Sequence, residues 1–211
     1  ITQIGIGTPG TIDYNNGVLF RASNLPYKNT PVIEIIKKET GIECVLCNDA
    51  TCAVYGELYA GLGKEYSNIA MLTLGTGVGG GIIIDKKVYT GKKGGAGEFG
   101  HFTINFDGHP CPCGQRGCME QYTSVTALIR QTKEAIDNNP DSLLAKMGEN
   151  GVCGKTAFNA MRNGCSVGAR VVDIYTDYLT ISVLGVYFAL RPDVIVLGGA
   201  ISNEKEYILK L

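Results

Sequence analysis

Residues 97–120 read GEFGHFTINFDGHPCPCGQRGCME. Within them His101, Cys111, Cys113 and Cys118 offer four nitrogen or sulfur donors, the number that a closed tetrahedral zinc site takes. Pro110, Pro112, Gly114 and Gly117 punctuate the run, as expected where backbone wraps tightly around an ion. Thiolates suit a soft or borderline cation, which selects zinc over magnesium or calcium. His109 is an alternative donor to His101, and spacing alone leaves both open; unligated cysteines in a surface loop are the bland reading of the same residues. Four donors leave no coordination position for a reactive water, so the ion is read as structural and the chemistry is sought elsewhere.

Outward from this stretch, strands and helices alternate. Residues 68–74 form an apolar run ending in the glycine-rich segment 74–81, and 82–84 and 88–89 flank Asp85-Lys86-Lys87 as a hairpin. The segment matches G-x-G-x-x-G in form. A hairpin follows it instead of a helix, which excludes the dinucleotide fingerprint, and the missing Gly-Lys-Ser/Thr excludes a P-loop. What remains is a tight turn whose N–H groups and Thr76 hydroxyl suit a phosphate, or a plain glycine hairpin. Toward the N-terminus, 1–6 reads as the end of a strand and 7–10 as a turn. Thr30-Pro31 opens a helix that Gly41 closes, and the apolar strand 42–47 runs through Asn48-Asp49 into a helix over 50–60. Beyond the cysteines, helices are expected over 125–138, 156–163 and 166–190, the last stopped by Pro192. A short strand over 194–197 then ends in Gly198-Gly199, which reads as a sharp turn. This order predicts an α/β architecture.

Bulk properties narrow the function. The 211 residues, 45% hydrophobic and 18% charged with a formal net charge of −1, describe a globular chain without the basic footprint of a nucleic-acid binder. No uninterrupted apolar run reaches membrane-spanning length, so no membrane partner is expected. Eight cysteines fit free thiols and a metal site better than a disulfide framework in a chain this long, which with no signal peptide predicts a cytoplasmic protein. Among carboxylates, Asp49 stands where a buried strand meets a helix: Asn48-Asp49 is a helix cap in the bland reading and carries a general base in the functional one. Glu98 and Glu120 bracket the cysteine cluster and can send two carboxylates into one pocket.

Taken together, Gly97-Glu98-x-Gly100-His101 followed by Cys111-x-Cys113-Gly114-x2-Gly117-Cys118-x-Glu120 resembles the signature of the ROK family (repressors, open reading frames and sugar kinases). Asn48-Asp49-Ala50, the segment 74–81 and Leu197-Gly198-Gly199 fall in that family's order, and the resemblance runs from residue 1 to 211. It implies a two-lobed actin-like ATPase fold of ribonuclease-H-like sheets with a zinc-bound loop, an N-terminal lobe over 1–66 and a C-terminal lobe over 67–211. It favours His101 over His109 as the zinc donor. It also implies an ATP-dependent sugar kinase, with glucose the commonest acceptor, Asp49 as catalytic base, and Gly10, Asn24, Asn48, Asp49, Glu98, His101 and Glu120 around the sugar. Thr76 and Gly77 would face the phosphates of Mg-ATP, and Gly198-Gly199 the adenosine. The family's Asp-x-Gly-Gly-Thr hairpin would precede residue 1 and the C-terminal end looks clipped, so the chain as written is expected to lack part of the ATP site. Tyr27 stands where many glucokinases of the family have tryptophan, which bears on the sugar. A homodimer is implied, as are kinases for fructose, N-acetylmannosamine or β-glucosides. The non-enzymatic alternative is a sugar-sensing repressor, which would carry a DNA-binding helix-turn-helix ahead of residue 1.

Overall fold

The computed structural model describes residues 1–22 and 25–209. By contacts these form two compact units, one of Ile1–Met71 with Gly80–Glu98 and the other of Leu72–Gly79 with Phe99–Leu211. The predicted α/β class holds, with parallel and antiparallel strands interspersed with helices.

In the first unit, β1 (Gln3–Thr8) pairs in parallel with β5 (Glu43–Asn48), in a register that sets Thr8 opposite Asn48. The three-stranded antiparallel sheet β2 (Thr11–Asp13), β3 (Val18–Arg21), β4 (Lys28–Thr30) was not foreseen. Strands of three or four residues are too short to display alternation. The β2–β3 turn is made by Asp13, whose Oδ1 accepts from the N–H of Asn15 at 3.1 Å and of Asn16 at 3.2 Å. Ile12, Leu19, Ala22 and Leu46 form a small core beneath it. Helix α1 (Val32–Thr40) ends at Gly41, in the left-handed region with φ 70° and its N–H on the Lys37 carbonyl. Its start differs from expectation by one residue: Pro31 is the cap and Thr30, paired with Leu19 in the ladder, belongs to β4. Helix α2 (Asp49–Ala60) follows β5 directly. The hairpin of β7 (Val78–Ile84) and β8 (Lys87–Tyr89) turns through Asp85 and Lys86, both at positive φ.

Strands β6 (Ile69–Leu74) and β7 each contribute residues to both units, and the sheet order is β8-β7-β6-β9, with β9 at Val194–Gly198. The second unit is otherwise helical: α3 (Glu120–Thr123), α4 (Val125–Asp137), α5 (Leu143–Gly148), α6 (Thr156–Arg162), α7 (Ser166–Leu190) and α8 (Lys205–Ile208). By length and composition α7 reaches what a membrane crossing needs, which the sequence reading did not expect. Gly168, Val171, Val172, Tyr175, Leu179, Ser182 and Val186 are nevertheless buried at three- and four-residue steps, the pattern of a helix packed on one face in a protein core. Arg191 ends it in the left-handed region, donating its N–H to the Tyr187 carbonyl, and Pro192 prevents continuation.

One core contact reaches toward the predicted site. Tyr175 of α7 is fully buried and its hydroxyl donates to the Thr123 carbonyl of α3 at 2.7 Å. Burial pushes its phenol far above the ordinary range, so the donor is permanent. Tyr175→Phe leaves that carbonyl without its donor and should cost about 1–3 kcal/mol in chemical denaturation, with an unchanged m-value.

Candidate functional site

In the second unit a 3-10 turn over Phe99–His101 delivers His101, and the loop after it delivers three cysteines. Gly100 allows that turn to press on β7: a Cβ there would stand 2.1 Å from the Val78 carbonyl oxygen. The loop closes through Cys111 N–H on Gln115 O at 2.8 Å, Gly114 N–H on Cys111 O at 2.9 Å and Gly117 N–H on His109 O at 2.8 Å. At Gly117, φ is +67° and a Cβ would collide with the Asn105 carbonyl, so only glycine fits.

These folds bring one donor atom from each of His101, Cys111, Cys113 and Cys118 within 4.8 Å of one another. Cys113 Sγ lies 3.6 Å from Cys118 Sγ, and Cys111 Sγ 3.8 Å from His101 Nδ1. Sulfurs on a tetrahedral zinc, each bonded at about 2.3 Å, stand about 3.8 Å apart, so the donor set fits that ion in number, chemistry and size. Burial, and then hydrogen bonds with the thiols of Cys113 and Cys111, push Cys118 up to about 12, so a thiolate there needs a cation beside it. His109 is elsewhere: its Nε2 accepts from Arg130 and its backbone N–H donates to the Tyr122 hydroxyl at 3.0 Å. Burial first, then the Arg130 charge, hold His109 below the ordinary histidine range.

The glycine-rich segment resolves into a shorter turn than its composition suggested. β7 already begins at Val78, leaving Gly75-Thr76-Gly77 as the turn, closed by Gly75 N–H on Gly77 O at 3.0 Å. Glu120, the first residue of α3, accepts from Val78 N–H through Oε2 at 2.9 Å. Gly77 is what lets that carboxylate in, because a Cβ there would stand 2.3 Å from the same oxygen. Gly199, at φ +93°, abuts the strand end before the turn, where a Cβ would meet Leu74 O at 2.3 Å. Gly77, Glu120 and Gly199, three separately predicted site residues, therefore meet along the segment from Leu74 to Val78.

In the first unit Asn48 caps α2, its Oδ1 accepting from Ala50 N–H at 2.9 Å and Thr51 N–H at 3.2 Å. Its Nδ2 donates to Gly10 O at 3.3 Å, tying the loop after β1 to the start of α2. Gly10 itself, at φ +103°, leaves no room for a Cβ against Arg21 O. The cap reading and the functional reading thus fall on different residues. Asn48 is the cap, and Asp49, next along, is exposed, with Oδ1 accepting from Ala50 N–H at 2.9 Å at a helix N-terminus that favours negative charge. Glu98 is also exposed, after Gly97, which packs against the Gly81 backbone. Asn24 lies outside the described residues. A cavity of about 960 Å³ in the same unit, lined among others by Gly7, Tyr14, Cys47 and Cys52, includes none of the predicted site residues.

Two residues that sequence reasoning passed over take part. Tyr122, nearly fully buried, accepts from Asn105 Nδ2 at 3.2 Å as well as from His109 N–H, so it joins the cysteine loop to α3. Thr126 donates from Oγ1 to Thr76 O at 2.7 Å. A threonine in the first turn of a helix carries no local mark of such a bond.

The family model for the ROK family matches residues 1–211. A glucokinase of Halalkalibacterium halodurans is 35% identical over 210 residues, 98% of this chain and 64% of that protein. A xylose repressor of Caldicellulosiruptor bescii is 30% identical over 211 residues, 100% of this chain and 53% of that protein. Among solved structures, a ROK family glucokinase from Streptomyces griseus in complex with glucose and AMPPNP matches with a TM-score of 0.88 and 32% identity, over 100% of this chain and 69% of that one. The chain thus spans just under two thirds of the length of the H. halodurans glucokinase.

Proposed function

Because the chain belongs to the ROK family, we propose that it acts as an ATP-dependent hexose kinase, with glucose the first acceptor to test and the actin-like ATPase architecture as its frame. The observation that carries this reading is Asp49: an exposed carboxylate at the C-terminal end of a parallel strand, its neighbour Asn48 having taken the capping role. A sugar hydroxyl is a poor nucleophile, and a positioned carboxylate takes its proton as the bond to the γ-phosphorus forms. The remainder of phosphoryl transfer is positioning and charge stabilisation, which Mg²⁺ supplies when bound with ATP. Asn48, Glu98, His101 and Glu120 bind sugar hydroxyls in this reading, with Asn24 a further sugar contact and the Gly10 loop approaching the sugar closely, while Thr76, Gly77, Gly198 and Gly199 face the nucleotide. His101 turns Nδ1 toward the cysteines, which leaves Nε2 for a hydroxyl. Zinc in the cysteine cluster is structural: it fixes the backbone on which His101 and Glu120 are carried.

The test is a coupled ADP-release assay with Mg-ATP and a panel of glucose, mannose, fructose, N-acetylmannosamine and a β-glucoside. Sugar-dependent turnover with at least one of them is the expected result; ADP release that no sugar accelerates counts against the kinase. A second reading, a sugar-sensing transcriptional repressor, is favoured by the similarity to a xylose repressor along the whole chain. Retention of Asp49 supports the kinase, since a sensor has no use for a base. Sequence-specific DNA binding released by sugar, in a protein without turnover, decides for the repressor.

A further inference from the structure

The glycine turn of the second unit is gripped through its carbonyls. Val125 N–H, one of the donors that a helix start leaves without an intrahelical partner, bonds Gly75 O at 2.8 Å. Thr126 Oγ1 bonds Thr76 O at 2.7 Å. A planar trans peptide holds its C=O and N–H on opposite edges. The N–H groups of Thr76 and Gly77 belong to these same two peptide units, so pinning the carbonyls to α4 turns both N–H groups to the side away from it. Successive N–H groups presented together form a concave seat for an anion. A third bond, Glu120 Oε2 to Val78 N–H at 2.9 Å, fixes the far end of the turn.

We infer that Thr126 is a positioning residue for the nucleotide phosphates, its hydroxyl setting the orientation of the Gly77 N–H through the Thr76 carbonyl. This rests on the kinase reading above. Thr126 and Thr76 are both exposed, so removing the bond leaves the core untouched. The bond to Thr76 O involves neither oxygen of Glu120, whose Oε2 accepts from Val78 N–H at the other end of the turn, so it can be removed with that carboxylate and its partner in place.

The experiment compares Thr126→Val, which keeps the shape and loses the donor, with Thr126→Ser, which keeps the donor. The Kd of a non-hydrolysable ATP analogue and the KM for ATP should rise about five- to tenfold in Thr126→Val, the size of one lost hydrogen bond. Thr126→Ser should return both to within about twofold, and the sugar Kd and Tm should not move in either variant. An unchanged analogue Kd in Thr126→Val overturns the inference, as does a Thr126→Ser variant as weak as Thr126→Val, or a parallel loss of sugar affinity. An unsubstituted protein that binds the analogue yet phosphorylates no hexose counts against the kinase reading alone, and the analogue comparison still decides the role of Thr126. One that binds no analogue overturns both.

Discussion

On the kinase reading, Asp49→Asn is expected to lower the rate of sugar phosphorylation about a thousandfold, the middle of the range for removing a general base, and to leave the sugar Kd within about twofold. The substitution is nearly isosteric and the side chain is exposed, so the fold does not suffer. The bond that Asp49 Oδ1 accepts from Ala50 N–H can be kept, because an asparagine oxygen is also an acceptor, though a weaker one. The cap itself is carried by Asn48, which stays. What disappears, on the proposed reading, is the ability to take a proton from the attacking hydroxyl. Single-turnover phosphate transfer measured beside sugar binding by calorimetry separates the two quantities. Near-normal turnover in the variant moves the base to another residue, and a collapse of sugar affinity with unchanged kcat makes Asp49 a binding group only.

The second large effect is expected from the metal. Purified protein should contain one zinc ion per chain by elemental analysis, and Cys118→Ser or exhaustive chelation should remove it. Three of the four donors lie on the loop around Gly114 and Gly117, both at positive φ, which protein bonds hold at its edges, such as Ile104 N–H on Gly117 O at 2.9 Å, while the ion would join its thiols directly. Losing the ion should lower Tm and weaken sugar binding about tenfold or more, because structural zinc contributes directly to the folding of its loop. The loosening would pass through Tyr122, which accepts bonds from Asn105 and His109 on the loop and lies two residues from Glu120. Unchanged sugar affinity in protein verified to be metal-free removes the cluster from the sugar site. Zinc-free protein as purified removes the metal assignment itself.

The elements that sequence patterns predicted well are those whose signals are local and strong. Helix α7 runs over Ser166–Leu190 as the three- and four-residue apolar steps and Pro192 indicated. The end of α1 follows from Gly41, and the start of α2 from the capping preference of Asn48. Where two signals competed, the local one was less reliable. Thr30 looks like a helix cap, but its backbone is paired in β4, and the three glycines after Val78 belong to a strand because β6 pairs beside it. The strands β2, β3 and β4 escaped notice because three or four residues cannot establish a period.

The sequence alone determined the inventory of this protein: an α/β order of elements, four soft donors in one short segment, a carboxylate at a strand end and a glycine turn. Local conformational preference is enough for that, since caps, turns and periodicity act within one or two helical turns. Which of those groups meet was decided only by the tertiary structure. His101 stands with the thiols while His109, closer to them in sequence, is drawn off by Arg130 and Tyr122. Glu120 reaches a strand 42 residues away, and Thr126 a turn 50 residues away. Such bonds depend on where packing sets each backbone, to within the few tenths of an ångström that separate a hydrogen bond from none.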